Sequence, residues 1–519
     1  MKRFAMVLTL LCLMGAGAGY GVPAAAAPSS DAAPAEAARA IQSVSAPIPL
    51  RGVIEGFYGT PWTFGARMDM IDFCGKHGFN AYIYAPKDDP YHRAKWRESY
   101  PAEKMRELQA LVSEAKTKGV RLIFAVSPGL DLHFRGAAAE ADRTAMLGKL
   151  EAVYALGVRD FAIFFDDIKE KDGAGQAAFL NAIARELHAR HGDIGTILTV
   201  PTEYYLADMR AADGSRKAYT DAFFRHLDVD ILVLYTGDGV VVPALTDADY
   251  RAAAALCGRS PGIWWNYPVT DYMEGKLALG PITGLPRASR VPAIFFNPMK
   301  YERLSKIALA TGADYARDPA AYDAQGSWER AIRAQYGALA PAMEAFADQS
   351  QHMENAWAKA GRMDGAKLRA AIAAYEAAWP AGKAGTDGEA GGSGNVGESG
   401  TSGKAGEAGT GGKDAEACRA ALDAELASLD DAAAALQQGL PEETLAECAP
   451  QLARLRQMAQ TARLGLSMRE AARQGQADEA RRMRLEGRRE LAALRNQKDV
   501  QISEQTLSAF LEKLFGYTE

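Results

Sequence analysis

The chain has 519 residues, 48% of them hydrophobic and 24% charged, which is enough apolar material for more than one buried core. Its 59 Lys and Arg against 65 Asp and Glu give a net charge of -6. That balance withholds the basic footprint that phosphate-backbone binding requires, so no nucleic-acid partner is expected.

At the start of the chain, Lys2 and Arg3 precede an apolar stretch from Phe4 to Ala16, shorter than the ~20 residues of a membrane span. The Ala24 to Ala27 run then offers small residues for cleavage. The pattern predicts a signal peptide over 1–27, an N-terminal segment over 28–50 and a secreted or periplasmic mature protein with no membrane span. Cys74, Cys257, Cys418 and Cys448 remain, too few for a disulfide scaffold. Cys418 and Cys448 flank a helical turn near Gly439 at unequal distances, out of disulfide reach in an antiparallel hairpin, so all four are expected to be packing residues.

From residue 51 to 316, short β-branched and aromatic runs alternate with amphipathic helical stretches. Strands are predicted to start near Arg51, Phe79, Arg121, Phe161, Gly195, Asp230, Gly262 and Ala293. Eight βα units in that length predict a (β/α)₈ TIM barrel, an α/β fold, with an open doubly wound sheet as the alternative. Beyond 316 the strand signals stop. Ala, Leu, Glu and Arg-rich segments predict an all-α helical bundle in two parts, 317–380 and 415–519. Between them, over 381–414, Gly recurs at every third position from Gly382 to Gly412. The triplets hold no proline, so a flexible solvated insertion is favoured over a trimerising collagen-like helix.

Most of the strand candidates end in polar or turn-forming residues: Gly56, Lys87, Asp166 with Asp167, Glu203 with Tyr204, Thr236, Asn266 and Asn297. In a barrel these ends form the rim where catalytic groups gather. Helix capping accounts for some of them, but not for a lysine or a tyrosine. Adjacent Asp166 and Asp167 should repel, splitting their proton affinities as acid/base work requires. Neighbours on a strand point apart, however, so the pair is poorly placed to act as an ordinary acid and nucleophile on one sugar ring. Metal ligation is the other reading of such a pair, and the whole chain has only 7 His. Trp62, Tyr204, Tyr235, Trp264, Trp265, Tyr267 and Tyr272 fall at the same ends or in the loops after them. Amphipathic rings beside Asp and Asn suit a carbohydrate, although Trp265 reads as core.

The strings RGVIEGFYGTPW at Arg51, YIYAPKDDPYHRAKWRE at Tyr82, VSPGLD at Val126, FFDDI at Phe164, PTEYY at Pro201, WWNYPVTDY at Trp264 and FFNPM at Phe295 occur in order through this region. Together they closely resemble glycoside hydrolase family 84, the bacterial β-N-acetylglucosaminidases related to O-GlcNAcase. The resemblance implies a retaining exo-β-N-acetylglucosaminidase that works by substrate-assisted catalysis through an oxazoline, with no cofactor and no metal. It implies that Asp166 orients the substrate acetamido group and that Asp167 is the general acid and base. Tyr204 would donate to the acetamido oxygen; Gly56, Lys87, Asn266, Asp271 and Asn297 would hold the sugar; Tyr235 and Trp264 would wall the acetyl pocket. The expected partners are β-N-acetylglucosaminide glycans or O-GlcNAc-modified glycoproteins. A catalytically silent glycan-binding barrel is the rival of another class. The glycine-repeat insertion departs from the family pattern.

Overall fold

The computed structural model describes residues 46–169, 171–379 and 411–516. The expected signal peptide and the glycine repeat up to residue 410 lie outside the described residues. Eight strands close in chain order into a parallel barrel: β1 (Leu50–Glu55), β2 (Ala81–Tyr84), β3 (Arg121–Val126), β4 (Asp160–Phe164), β5 (Ile197–Val200), β6 (Leu232–Tyr235), β7 (Gly262–Trp265) and β8 (Ala293–Phe296). Leu50 pairs with Ala293, which joins β8 to β1 and removes any open edge. The alternative of an open sheet is therefore set aside.

Period-two alternation sorts the strand residues into two layers. Ile54, Ala81, Ile83, Ala125, Ala162, Phe164, Leu198, Leu234, Trp264, Ala293 and Phe295 fill the lumen. Val53, Tyr82, Phe124, Phe161, Ile163, Val233, Tyr235, Ile263 and Phe296 belong to the larger core under the helices. Small Ala beside bulky Phe and Trp suits a packed barrel rather than a pore. Gly52 belongs to the lumen phase, where a Cβ would lie 1.8 Å from the Ala81 carbonyl oxygen, so only glycine permits that strand approach.

Around the barrel run α1 (Phe64–His77), α2 (Ala102–Thr117), α3 (Gly136–Tyr154), α4 (Gly173–Arg190), α5 (Leu206–Met209), α6 (Ala218–His226), α7 (Asp247–Cys257) and α8 (Glu302–Arg317). Their starts are set by caps: Thr63 accepts from Ala66 N, and Thr246 forms a capping box with Asp249. The connection from β7 to β8, residues 266–292, carries no helix. The region after the barrel packs there instead. Leu279 N donates to Ser350 O at 2.8 Å, Gln501 N to Gly275 O at 3.0 Å, and Trp328 Nε1 to Leu279 O at 2.7 Å. Lys276, buried beneath this layer, pairs with Asp364 at 3.1 Å and with Glu504.

That later region comprises α9 (Ala324–Tyr336), α10 (Ala340–Asp348), a hairpin of β9 (Met353–Glu354) and β10 (Lys359–Ala360), α11 (Ala366–Ala378), α12 (Gly411–Gly439), α13 (Glu442–Arg473), α14 (Ala477–Asn496) and α15 (Ala509–Phe515). The hairpin interrupts the all-α region expected over 317–380. Asn355 Oδ1 accepts from Trp357 N and Ala358 N, and Gly361 and Gly365 adopt φ of 76° and 64°, so local turn chemistry outweighs the helical composition. Helix α12 begins at Gly411, inside the expected 381–414 insertion. The four described cysteines are free; Cys418 is half-buried and the other three are buried. Among the described residues, no helix is long and apolar enough to cross a membrane.

One carboxylate joins the helical region to the barrel's last helix. Glu447 of α13 accepts Arg303 N at 3.1 Å and Leu304 N at 2.9 Å in the first turn of α8. Burial pushes its carboxyl up to about 7, against the pull of those two N–H donors and with a further push from Glu302. A carboxyl raised on folding binds its proton more tightly in the native state. Its contribution to stability is therefore complete below about 4.5 and is lost as pH rises through 7. We expect the native protein to lose up to about 3 kcal/mol at this group between pH 5 and pH 8. Urea unfolding at the two pH values should show a smaller difference for Glu447→Gln than for the unaltered protein.

Candidate active site

The C-terminal ends of the strands surround a cavity of about 570 Å³. Phe164 faces the lumen and Phe165 the outer core, so Asp166 is in phase with the lumen and reaches the cavity as the alternation demands. Asp167 is out of phase. It adopts φ of 55°, one of two non-glycine residues among those described with positive φ, and this left-handed turn brings its carboxylate to the same cavity. The expectation that the two side chains point apart holds for a continuing strand; here the strand has ended.

The two carboxylates have different partners. Asp166 Oδ2 accepts from Lys87 Nζ, and both side chains are almost wholly buried. The Lys87 ammonium lies 5.5 Å from the ring centroid of Trp264 and 5.9 Å from that of Phe164, so apolar faces restrict it to the carboxylate. Asp166 Oδ1 is buried and takes no hydrogen bond. Asp167 is held by phenols: Tyr58 donates to Oδ2 at 2.7 Å and Tyr204 to Oδ1 at 2.9 Å. Burial, with the charge of Asp167, pushes both phenols well above their ordinary range, so they stay protonated donors.

A second set of groups is knit together on the opposite strands. Trp264 Nε1 and Asn297 Nδ2 both donate to Asn266 Oδ1 at 2.9 Å, and Asn266 Nδ2 donates to Val240 O at 2.9 Å. Gly56 N donates to Asn297 Oδ1 at 3.2 Å. A Cβ at Gly56 would sit 2.4 Å from the Trp264 ring, so the indole can occupy its place only against glycine. Asp271 Oδ2 accepts from Tyr58 N at 2.8 Å, and burial raises its carboxyl above the usual range.

Nine of the ten residues expected at the site line this cavity: Gly56, Lys87, Asp166, Asp167, Tyr204, Trp264, Asn266, Asp271 and Asn297. Tyr235 does not. In β6, Leu234 takes the lumen phase, which sends Tyr235 outward to the helix layer, its ring 6.3 Å from that of Tyr250 and its hydroxyl without a hydrogen bond. The next residue, Thr236, is the one that reaches the cavity. Of the other aromatics read as rim residues, Tyr272 lines the cavity, whereas Trp62 and Tyr267 are packed in the outer core, as is Trp265, which the sequence already marked as core. The residues missed are Tyr58, the wall of Val240, Val241 and Val269, and Trp357. Tyr58 lies two residues after Gly56 and was within reach of the rim argument. Trp357 comes from the β9–β10 hairpin, far along the chain, and nothing local in the sequence points to it. Among the described residues, no three His, Cys, Asp or Glu are grouped to hold a metal ion.

A closed parallel barrel whose mouth sets two carboxylates, a buried lysine, amides and aromatic rings around one cavity is of the carbohydrate-processing class. The comparisons make this specific. A family profile described as beta-N-acetylglucosaminidase matches residues 51–348, and one described as hyaluronidase post-catalytic domain-like matches 407–511. The chain belongs to this β-N-acetylglucosaminidase family, glycoside hydrolase family 84. It is similar to the protein O-GlcNAcases of Mus musculus and Rattus norvegicus, each 33% identical over 275 residues. Those matches cover 51% of this chain and 30% of each relative, so the chain spans under a third of their length. Among solved structures, CpGH84B matches with a TM-score of 0.79 at 32% identity, covering 90% of this chain and 77% of that one. A Thermobaculum terrenum O-GlcNAc hydrolase variant shares the fold, with a TM-score of 0.73 at 24% identity over 90% and 94% of the two chains.

Because Tyr235 faces α7 and its hydroxyl bonds to nothing, Tyr235→Phe is expected to leave the cavity and the thermal midpoint essentially unchanged. Steady-state kcat/KM on the substrate proposed below should stay within about twofold of the unaltered protein. A drop comparable to that of a cavity-lining variant would show that the outward placement is wrong.

Proposed function

We propose that this protein is a secreted, retaining exo-β-N-acetylglucosaminidase that removes terminal β-linked GlcNAc from glycans or O-GlcNAc-modified glycoproteins. The observation that carries the reading is the contrast between the neighbouring aspartates. One carboxylate is anchored by Lys87 with a buried oxygen left free, and the other is held by two phenol donors in the same cavity.

In this reading the free Asp166 Oδ1 accepts the N–H of the substrate acetamido group, and the Lys87 ammonium on the other oxygen fixes that carboxylate in place. The acetamido oxygen, so oriented, attacks the anomeric carbon. As that bond forms, the bond from the anomeric carbon to the leaving oxygen breaks, and Asp167 gives its proton to the departing group. The product of this half is an oxazoline in its protonated form, which keeps its N–H on the Asp166 carboxylate. In the second half Asp167 takes a proton from water, the water oxygen bonds to the anomeric carbon, and the oxazoline opens to restore the acetamide. Two displacements on one carbon return the original β configuration. Tyr204 exchanges its bond to Asp167 for one to the acetamido oxygen when substrate is in place. Substrate participation is the recognised departure from the two-carboxylate arrangement of ordinary retaining enzymes. Asn266 holds Trp264 and Asn297 through its oxygen, and of its two N–H donors one goes to Val240 O and the other is left for the sugar.

Export is proposed from Lys2, Arg3 and the apolar stretch after them. N-terminal sequencing of the mature protein should begin near residue 28, and recovery of Met1 would contradict the proposal.

The decisive experiment compares a β-N-acetylglucosaminide with the matching β-glucoside; only the first should be cleaved. Proton NMR of the reaction should show the β anomer as first product, and an α first product would exclude the mechanism. Asp167→Asn should lower kcat/KM about 10²–10⁴-fold for substrates with poor leaving groups and much less for a nitrophenyl glycoside. Asp166→Asn should slow both, because participation is required whichever group departs.

A further inference from the structure

We infer that Arg93 is a positioning residue for Asp167, acting through the Tyr58 hydroxyl to fix the direction of that phenol's proton and so to set how firmly Asp167 holds its own. The inference rests on the acid/base role proposed above for Asp167.

Arg93 lies in the loop after β2, half-buried at the cavity edge. Its Nη1 donates to Tyr58 Oη at 3.0 Å and its Nη2 to the main-chain carbonyl of Asp167 at 3.3 Å. The guanidinium carbon is 5.4 Å from the centroid of the Tyr58 ring. A guanidinium has donors and no acceptor, so the Tyr58 oxygen can only accept from it. The single phenolic hydrogen is then left for Asp167 Oδ2, 2.7 Å away. The chain of donors runs one way, from Arg93 to Tyr58 to Asp167. A phenol that accepts a charged hydrogen bond is itself a stronger donor. The contact to the Asp167 carbonyl also steadies the left-handed turn at φ 55° that brings this carboxylate into the cavity.

The other charged or titratable groups facing Asp167 are committed elsewhere. Lys87 is paired to Asp166, Tyr204 donates to the second oxygen of Asp167, and Asp271 accepts from the Tyr58 main chain. Asp166 and Asp271 are like charges beside Asp167, and Arg93 is a charge of opposite sign on its phenol. Removing Arg93 should therefore strengthen proton binding by Asp167. For substrates with poor leaving groups, which need Asp167 protonated, the alkaline limb of kcat/KM should move to higher pH. The shift expected is roughly one pH unit at low ionic strength and less at high salt.

The test uses the full chain with Arg93→Met, Arg93→Lys, Tyr58→Phe and the double variant Arg93→Met with Tyr58→Phe. Asp167 is titrated directly by carbon-13 NMR of aspartate-labelled protein, its resonance assigned by loss in Asp167→Asn, and the pH profile of kcat/KM is measured in parallel. Arg93→Met and Tyr58→Phe should each raise the Asp167 midpoint, Arg93→Lys should raise it less, and the double variant should move little beyond Tyr58→Phe alone. If Arg93→Met does not fold, the smaller rise in Arg93→Lys carries the test. An unmoved midpoint in the folded Arg93 variants, or shifts that add in full in the double variant, would overturn the inference. Absence of any hydrolysis by the unaltered protein would instead sink the proposed function, and the NMR titration would still decide the role of Arg93.

Discussion

In a closed parallel barrel each strand residue faces either the lumen or the helices, and a side chain at the mouth reaches the cavity only in phase with the lumen residues below it. This constraint governs the whole site. Lys87, Asp166, Trp264, Asn266 and Asn297 reach the cavity from four segments because each stands at or just past a strand end. Tyr235 obeys the same rule in the opposite sense and is lost to the outer core. Asp167 escapes it only because its backbone turns left-handed directly after β4. A conformation costing about 1–3 kcal/mol in a non-glycine residue persists only where neighbours over-determine it. Here those neighbours are Tyr58, Tyr204 and Arg93.

The helical region completes the barrel as well as following it. With no helix between β7 and β8, the 266–292 connection would leave buried backbone groups without partners. Ser350 and Gln501, with Trp328, supply them. The ion pairing of Lys276 with Asp364 sits at the centre of this seam, and Asp364 Oδ1 also accepts Gln351 N at 2.6 Å and His352 N at 2.8 Å. Burial pushes the Asp364 carboxyl upward while Lys276 and those N–H donors pull it down, so the group is tolerable only as a fully bonded set. From the same segment the β9–β10 hairpin carries Trp357 to the cavity mouth, its ring 5.2 Å from Tyr272. The seam that covers the barrel's helix-free connection thus also carries Trp357 to the cavity.

Much of this was legible in the sequence because the barrel repeats one physical pattern eight times. Most of the short β-branched or aromatic runs end in a polar or turn-forming residue, and position alone places Lys87, Asp166, Tyr204 and Asn297 on one rim. What failed did so for identifiable reasons. Tyr235 required the phase of β6, which Leu234 sets and which composition does not reveal. The all-α reading of residues 317–380 missed the hairpin at 353–360, where Asn355 and two left-handed glycines impose turns, a local effect that residue counts average away. Trp357 reaches the cavity only through tertiary packing some ninety residues beyond β7, so no window along the chain contains both it and its neighbours. The left-handed Asp167 was invisible for a related reason: aspartate tolerates that conformation, but only its surroundings impose it.

The contrast between the two aspartates follows from what each is bonded to, and it divides the work between them. A carboxylate that accepts from a buried ammonium is held ionised, because protonating it would leave the lysine charge without its counterion in an apolar surround. Asp166 accepts from Lys87 beside Phe164 and Trp264, which fixes it in place with one oxygen to spare. A carboxylate held by neutral phenols pays no such penalty on protonation, since a phenol can rotate its hydrogen away and accept instead. Asp167 can therefore cycle between acid and base, provided something limits how freely its phenols turn. Tyr204 has no cation on its oxygen, whereas Tyr58 has Arg93, so one of the two donors is free to follow the substrate and the other keeps the reference direction.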